Sequence, residues 1–174
     1  MEAVPESVCT KASPAGPADE AAKSHGGGPS MTAEIVTCPG CGQRNRVQPV
    51  ASGTPVCGTC RQPLPWIVAA SDDTFAAVAE QSQTPVVVDL WAPWCGPCRT
   101  VAPALEQVAR DLAGKVKLVK VNVDTAPALS QRLQVQAVPT LMILGGGRVL
   151  ARRSGAAPAG ALRRWVEQAL AAAR

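Results

Sequence analysis

The sequence predicts an α/β protein with a central mixed sheet covered by helices on both faces, preceded by a small cysteine-rich module and an N-terminal tail. Over residues 66–174, short valine-rich runs alternate with segments of helical periodicity, which indicates parallel strands joined by helices. Three glycines at residues 145–147 join two of these runs, which predicts a hairpin and an antiparallel edge. Ahead of this region, two Cys-x-x-Cys pairs stand in a stretch with few apolar residues.

The N-terminal tail, residues 1–33, is expected to be disordered. Alanine, proline, glycine, serine and glutamate dominate it, and it shows no apolar periodicity. Met31 directly precedes the first segment with a structural pattern, so one hypothesis is that translation starts there. Cys9 is interpreted as a stray exposed thiol, with an intermolecular disulfide as the alternative. His25, the only histidine, is expected to be solvated and to take no part in proton transfer.

Residues 34–62 carry the cysteine-rich module. Cys38 and Cys41 form one pair, Cys57 and Cys60 form another, and the 15 residues between the pairs match the spacing of a four-cysteine zinc ribbon. Thiolates in a tetrahedral arrangement suit Zn²⁺, so we expect one structural zinc ion. So few apolar residues cannot hold a fold unaided, and metal binding is expected to supply most of the stability, of order 10 kcal/mol. Iron and two local disulfides are the alternatives.

The large domain begins after a stiff linker, residues 63–65, which contains two prolines. A first strand is predicted over residues 66–68. A helix over residues 71–81 follows, with its first serine as N-cap and Asp72 in its first turn, where a negative charge is favourable. Residues 86–91 predict a strand buried on both faces, because β-branched residues occupy both of them.

The second half of the domain continues the same alternation. Apolar residues recur at helical spacing over residues 96–113, which predicts a helix. Residues 116–123 alternate valine or leucine with lysine and asparagine, which predicts a strand with one more polar face. The remaining elements are a short helix over 126–133, a hairpin of strands over 139–144 and 148–154, and a final amphipathic helix opened by Pro158.

A third Cys-x-x-Cys pair stands where the buried strand meets the following helix, in the stretch Trp94-Cys95-Gly96-Pro97-Cys98. The unpaired N–H groups at a helix start favour a thiolate over a neutral thiol, and Pro97 suits the first turn. The spacing lets the two sulfurs meet and is a signature of thiol–disulfide exchange. Cys95 is predicted to be the attacking thiolate and Cys98 the resolving thiol. Half of a zinc site is the alternative.

Asp89 is the predicted general base for this pair. It ends a very apolar strand, and burial there raises the pKa of a carboxyl group toward neutrality, as proton removal from Cys98 requires. Lys120, in the next strand, is expected to oppose that effect of burial. A solvated surface aspartate is the alternative.

Together these residues resemble the thioredoxin family. Trp94-Cys95-Gly96-Pro97-Cys98 is the active-site motif of that family, and Asp89 precedes the first cysteine by six residues, as the family's buried aspartate does. Lys120 and Val138-Pro139-Thr140 also fall at matching positions, and the matches extend over residues 66–174. The resemblance implies the thioredoxin fold for this region. The upstream cysteine module narrows the resemblance to zinc-ribbon thioredoxins such as bacterial thioredoxin 2.

The resemblance implies a protein-disulfide reductase that serves cell redox homeostasis and the oxidative-stress response. Thioredoxin reductase would recharge the Cys95/Cys98 couple, and disulfide-containing proteins would be its substrates. A cis peptide bond before Pro139 would present backbone groups for strand-like pairing with a substrate, although trans is the ordinary state of an X-Pro bond. Trp94 and Pro97 would form an apolar surface around an exposed Cys95 sulfur. The Gly96-Pro97 pair favours a reductant over an oxidant.

Composition and charge exclude several other classes. No run approaches the apolar length of a membrane span, and a net charge of +4 is too mild for nucleic-acid binding. Six of the seven cysteines lie in Cys-x-x-Cys pairs, which suits a reducing compartment, and the N-terminus lacks a secretory or transit pattern. We therefore expect a cytoplasmic monomer. The alternative function is a zinc-ribbon redox-sensing holdase or binding module, with the thioredoxin domain as its scaffold.

Overall fold

The computed structural model describes residues 9–10 and 31–173, so most of the predicted tail, including His25, lies outside the described residues. The strands are β1 (Cys9–Thr10), β2 (Glu34–Thr37), β3 (Arg44–Val47), β4 (Ile67–Ala70), β5 (Val86–Trp91), β6 (Lys117–Asn122), β7 (Ala137–Val138), β8 (Thr140–Gly145) and β9 (Arg148–Ser154). The helices are α1 (Gly96–Asp111), α2 (Pro127–Arg132) and α3 (Ala159–Ala172), with a short π-helical segment at Ala76–Glu80. Within these described residues, no helix has both the length and the apolar character needed to cross a membrane.

Five strands form the central sheet, in the order β4-β6-β5-β8-β9. β4, β6 and β5 run parallel, whereas β8 is antiparallel to β5 and β9 is antiparallel to β8. Side chains of β5 alternate between two cores, since Val86, Val88 and Leu90 belong to one and Val87 to the other. Residues of α1 and α3 fill the second core, and residues of the π-helical segment and α2 contribute to the first. The predicted mixed sheet with helices on both faces is therefore confirmed.

The helix predicted over residues 71–81 is shorter than expected and starts later. Its regular part is the π-helical segment Ala76–Glu80. Ser71 is not an N-cap, because its hydroxyl contacts another hydroxyl rather than a backbone N–H. The carboxylate of Asp72 instead accepts the N–H of Leu129 at 2.7 Å, at the start of α2. A local pattern cannot show this contact, because its donor comes from a distant part of the chain.

β6 lies inside the sheet, and its more polar face consists of the half-buried Lys120 and Asn122, whereas Lys117 departs from the prediction. Lys117 is 1% exposed, its ammonium donates to the carbonyls of Val78 at 2.6 Å and of Pro49, and it lies 4.2 Å from the centre of the Trp66 ring. Burial lowers the pKa of Lys117 to about 8. The prediction was wrong for this residue because two carbonyls and an aromatic face replace the water around its charge.

The module that holds the first two cysteine pairs is built around the antiparallel pair β2 and β3. Its two cysteine turns have the same hydrogen bonding: in each, the N–H of the first cysteine donates to the carbonyl five residues later at 2.8 Å. The residue after the second cysteine has a positive φ in both turns, +74° at Gly42 and +63° at Arg61. Glycine adopts this conformation freely, whereas Arg61 adopts it against its own preference.

This module packs directly on the large domain. The indole N–H of Trp66 donates to the carbonyl of Gln48 at 2.9 Å, and the Lys117 ammonium joins the carbonyl of Pro49 to the domain. Four buried residues of the module and linker belong to the same core as Val88: Cys38, Val47, Cys57 and Leu64. One continuous core therefore holds both parts.

Candidate active site

Cys95 and Cys98 lie at the junction between β5 and α1. Cys95 is the N-cap residue of α1, with extended backbone at φ −84° and ψ 106°, and Pro97 lies in the first turn. The N–H of Cys98 donates to Cys95 Sγ at 3.1 Å. The two Cα atoms are 5.3 Å apart, and the sulfurs form a disulfide. After reduction, a sulfur that accepts a helix N–H is favoured as a thiolate.

Cys95 has no exposed surface, which contradicts the expected exposed sulfur. Its Sγ lies 3.6 Å from the carbonyl oxygen of Val138 in β7. Trp94, next in the chain, is 47% exposed, and its indole N–H donates to the Asp124 carboxylate at 3.0 Å. The motif alone led to the prediction, and a motif contains no information about the segments that pack over the sulfur.

A shallow groove runs beside Trp94 and the β7 backbone. Its lining includes Val123, Val135 and Val138, and its enclosed volume is only about 10 Å³, so it is a surface feature rather than a cavity. The groove is therefore mainly apolar where it approaches the cysteine pair, as a surface that accepts flexible polypeptide would be.

Asp89 lies within β5 and is 1% exposed. Burial raises the pKa of its carboxyl to about 7, the Lys120 ammonium lowers it, and the Glu106 carboxylate raises it. Lys120 is the register partner of Asp89 on β6 and forms an ion pair with Glu106 at 3.0 Å. In the described part of the chain, no hydrogen-bond partner reaches Asp89 Oδ1. A carboxyl group with such a pKa can hold or release a proton near neutral pH.

The peptide bond between Val138 and Pro139 is cis, as the resemblance implies. It connects β7 to β8, and the N–H of Gly155 donates to the Pro139 carbonyl at 2.9 Å. The turn thus places the carbonyl of Val138 beside Cys95, although the two residues are far apart in sequence.

The four cysteines of residues 34–62 come together in a cluster that fits a metal ion. All four Sγ atoms lie within 4.8 Å of one another; those of Cys38 and Cys60 are 3.5 Å apart, and those of Cys41 and Cys57 are 3.6 Å apart. Tetrahedral zinc, with Zn–S bonds of about 2.3 Å, requires sulfurs about 3.8 Å apart. A hydrogen bond from the Cys60 backbone is the main cause that lowers the pKa of the Cys57 thiol, whereas the Cys41 side chain is the main cause that raises the pKa of the Cys60 thiol.

Sequence reasoning misses two charged residues of this site, Glu106 and Asp124. Asp124 lies two residues after the end of β6, and the carboxyl ends of the parallel strands β5 and β6 meet at one edge of the sheet, so this signal was available. Glu106 gave no such signal, because its pairing with Lys120 depends on how α1 packs on the sheet.

Comparisons with known proteins cover the large domain. A family model described as Thioredoxin matches residues 66–168. The protein named Thioredoxin from Haemophilus influenzae is 42% identical over 98 residues, which cover 56% of this chain and 92% of that protein. Thioredoxin 1 from Nostoc sp. is 43% identical over 100 residues, covering 58% and 94%. Thioredoxin M-type, chloroplastic, from Chlamydomonas reinhardtii is 40% identical over 102 residues, covering 59% and 73%.

The matched region contains the Cys95–Cys98 disulfide, the buried Asp89 and the cis-Pro139 turn. The domain is that of a protein-disulfide reductase, a thiol–disulfide oxidoreductase, and the cysteine pair fits its active site. Because the family model spans more than half of the chain, this protein belongs to the thioredoxin family.

Proposed function

We propose that Cys95 attacks a disulfide of a substrate protein and that Cys98 resolves the product, with Asp89 as the general base. The observation that carries this proposal is the hydrogen bond from the Cys98 N–H to Cys95 Sγ at the N-cap of α1. The Cys98 N–H stabilises negative charge on the Cys95 sulfur. Cys98 is the only other cysteine in residues 66–174, so Cys95 is the nucleophile of the pair.

The reaction proceeds by two exchanges. The Cys95 thiolate forms a bond to one substrate sulfur, the substrate disulfide breaks, and the other substrate sulfur leaves as a thiolate that takes up a proton. Cys98 then gives its proton to the Asp89 carboxylate and attacks Cys95, which releases the second substrate sulfur. The protein ends with the Cys95–Cys98 disulfide, and the substrate gains two electrons and two protons. Lys120 and Glu106 act on this step as positioning residues, through the pKa of Asp89.

The surroundings of the pair would select extended polypeptide. Pro139 presents the β7 backbone next to Cys95, so a substrate strand can pair there by main-chain hydrogen bonds. Trp94 supplies an exposed apolar face, held by its hydrogen bond to Asp124. Gly96 and Pro97 separate the two cysteines without a charge, which suits a reductant.

In the cysteine-rich module, Cys38, Cys41, Cys57 and Cys60 would hold one structural zinc ion, as in zinc-ribbon thioredoxins. The sulfur spacing and the all-thiolate donor set support this proposal. When bound, zinc supplies a tetrahedral crosslink and no redox chemistry. Because Cys38 and Cys57 are also part of the common core, this crosslink would stabilise the face of the large domain on which the module packs.

Thioredoxin reductase, which draws on NADPH, is the proposed electron donor, and disulfide-containing proteins are the proposed substrates. The proposed protein is a cytoplasmic monomer that serves redox homeostasis and the oxidative-stress response. The three Cys-x-x-Cys pairs support a reducing compartment. The mild, scattered charge of the sequence supports a protein that binds neither nucleic acid nor membrane.

Insulin reduction by the full chain, coupled to NADPH and thioredoxin reductase, tests the proposal. Cys95→Ser should abolish turnover. Cys98→Ser should form a mixed disulfide with insulin that persists. Cys9→Ser is the matched control and should retain turnover. Turnover by Cys95→Ser would refute the role of Cys95, and full biological activity of that variant would favour the alternative of a redox-sensing holdase or binding module.

A further inference from the structure

The edge of β7 is occupied by a second segment of this chain. β1 pairs antiparallel with β7, with Cys9 opposite Val138 and Thr10 opposite Ala137. Among the described residues, β7 has no other strand partner, and the pair lies apart from the five-stranded sheet. Backbone pairing at the edge of a strand is one of the recurring ways in which an extended peptide is bound.

The occupied edge belongs to the active site. The Val138 carbonyl, 3.6 Å from Cys95 Sγ, comes from the residue that is in register with Cys9. Cys95 itself has no exposed surface, while Trp94 beside it is 47% exposed. β1 pairs with the backbone edge that a substrate strand would use to approach Cys95, so β1 and a substrate strand compete for the same edge.

We propose that residues 9–10 are an internal occupant of the peptide-binding edge, which a substrate strand must displace to reach Cys95. This inference rests on the proposed function only in taking Cys95 as the nucleophile. The occupant matches the chemistry of the site, because the residue it places in register with Val138 is a cysteine. The chain therefore presents to its own active site a strand of the kind that it would bind in a substrate.

The presence of cysteine at position 9 provides a chemical readout of the pairing. In the Cys98→Ser variant, glutathione disulfide converts Cys95 to a mixed disulfide with glutathione. The Cys9 thiolate can then attack Cys95 Sγ, so that a Cys9–Cys95 bond forms and glutathione leaves as a thiolate that takes up a proton. One thiol and one disulfide stand on each side of this exchange, and glutathione disulfide is the only oxidant required.

The experiment measures the rate of this link in the full, zinc-loaded chain carrying Cys98→Ser, over a range of protein concentrations. Acid quenching, thiol blocking and non-reducing trypsin digestion would reveal residues 1–11 joined to residues 62–99. The matched control exchanges the two residues of β1, as Cys9→Thr with Thr10→Cys. It has the same mass and tether length but moves the thiol out of register with Val138, so the link should form about tenfold more slowly.

A concentration-independent link that slows in the exchanged variant supports the proposal. Equal rates in both proteins would indicate tethering without register and would overturn it, as would absence of the link or a rate that rises with protein concentration.

A second readout needs no cysteine in the tail. With Cys9→Ser, iodoacetamide should alkylate reduced Cys95 more slowly than when Thr10→Pro is added, since proline removes a backbone donor from β1. Insulin reduction that continues while these tests fail would reject the occupant alone and leave the reductase intact.

Discussion

Replacement of Asp89 by asparagine should make the protein more stable, increasingly so as the pH rises. The pKa of Asp89 is about 7 in the folded protein and 3.8 in a model peptide, mainly because of burial. Between these values the folded protein holds a proton that the unfolded chain has released, so stability falls as the pH rises toward 7. The pKa difference is about three pH units at about 1.36 kcal/mol each, a destabilisation of about 4 kcal/mol above pH 7.

Urea unfolding of the oxidised, zinc-loaded proteins at pH 5, 7 and 9 measures this effect. About two pH units lie between pH 5 and the pKa of Asp89 in the folded protein. The free energy of unfolding of Asp89→Asn should therefore exceed that of wild type by about 3 kcal/mol more at pH 9 than at pH 5. A ΔΔG of that size corresponds to roughly 10 °C in Tm for a chain of this length. Asp73→Asn, which changes an exposed carboxylate, is the control and should show no such growth.

The comparison between variant and wild type cancels the pH dependence of the cysteine cluster, which both proteins share. Any fixed effect of the amide group shifts all three points equally. A difference that stays constant from pH 5 to pH 9 would refute the assignment of a raised pKa to Asp89, and with it the argument that this group can accept the Cys98 proton.

Three further outcomes are expected. Lys117→Met should lower stability by about 2 kcal/mol, because it leaves the buried Val78 and Pro49 carbonyls without their donor; thermal unfolding followed by circular dichroism measures this, and exposed Lys115→Met is the control. Native mass spectrometry should find one zinc per chain, lost in Cys57→Ser and kept in Cys9→Ser, and chelation should lower the Tm because the cluster shares the main core; a metal-free native chain with the same Tm would contradict this. Iodoacetamide alkylation of reduced Cys98→Ser should give a Cys95 pKa below the value of about 8.5 for a free thiol, since the residue 98 N–H donates to its sulfur, whereas a rate profile like that of a random peptide would contradict the mechanism.

Local features of the sequence were sufficient to predict most of the architecture. Strands and helices follow the alternation of apolar residues, which depends only on neighbours a few positions apart, so β5, α1, α2 and the β8–β9 hairpin lie close to their predicted ranges. The cysteine pairs are equally local, because each tight turn needs only its own residues. The junction of β5 with α1 then places Cys95 at a helix start, which is why the redox pair could be found without coordinates.

Tertiary structure alone decided which polar groups are buried and what they contact. Lys117 can lie inside the sheet because carbonyls from two parts of the chain accept hydrogen bonds from its ammonium group. Asp72 accepts a hydrogen bond from the start of α2, and Glu106 of α1 forms an ion pair with Lys120. The burial of Cys95 and the pairing of β1 with β7 likewise bring together residues that are distant in sequence. A buried charge is stable only if its partners replace water, and those partners are set by the packing of whole elements rather than by any local pattern.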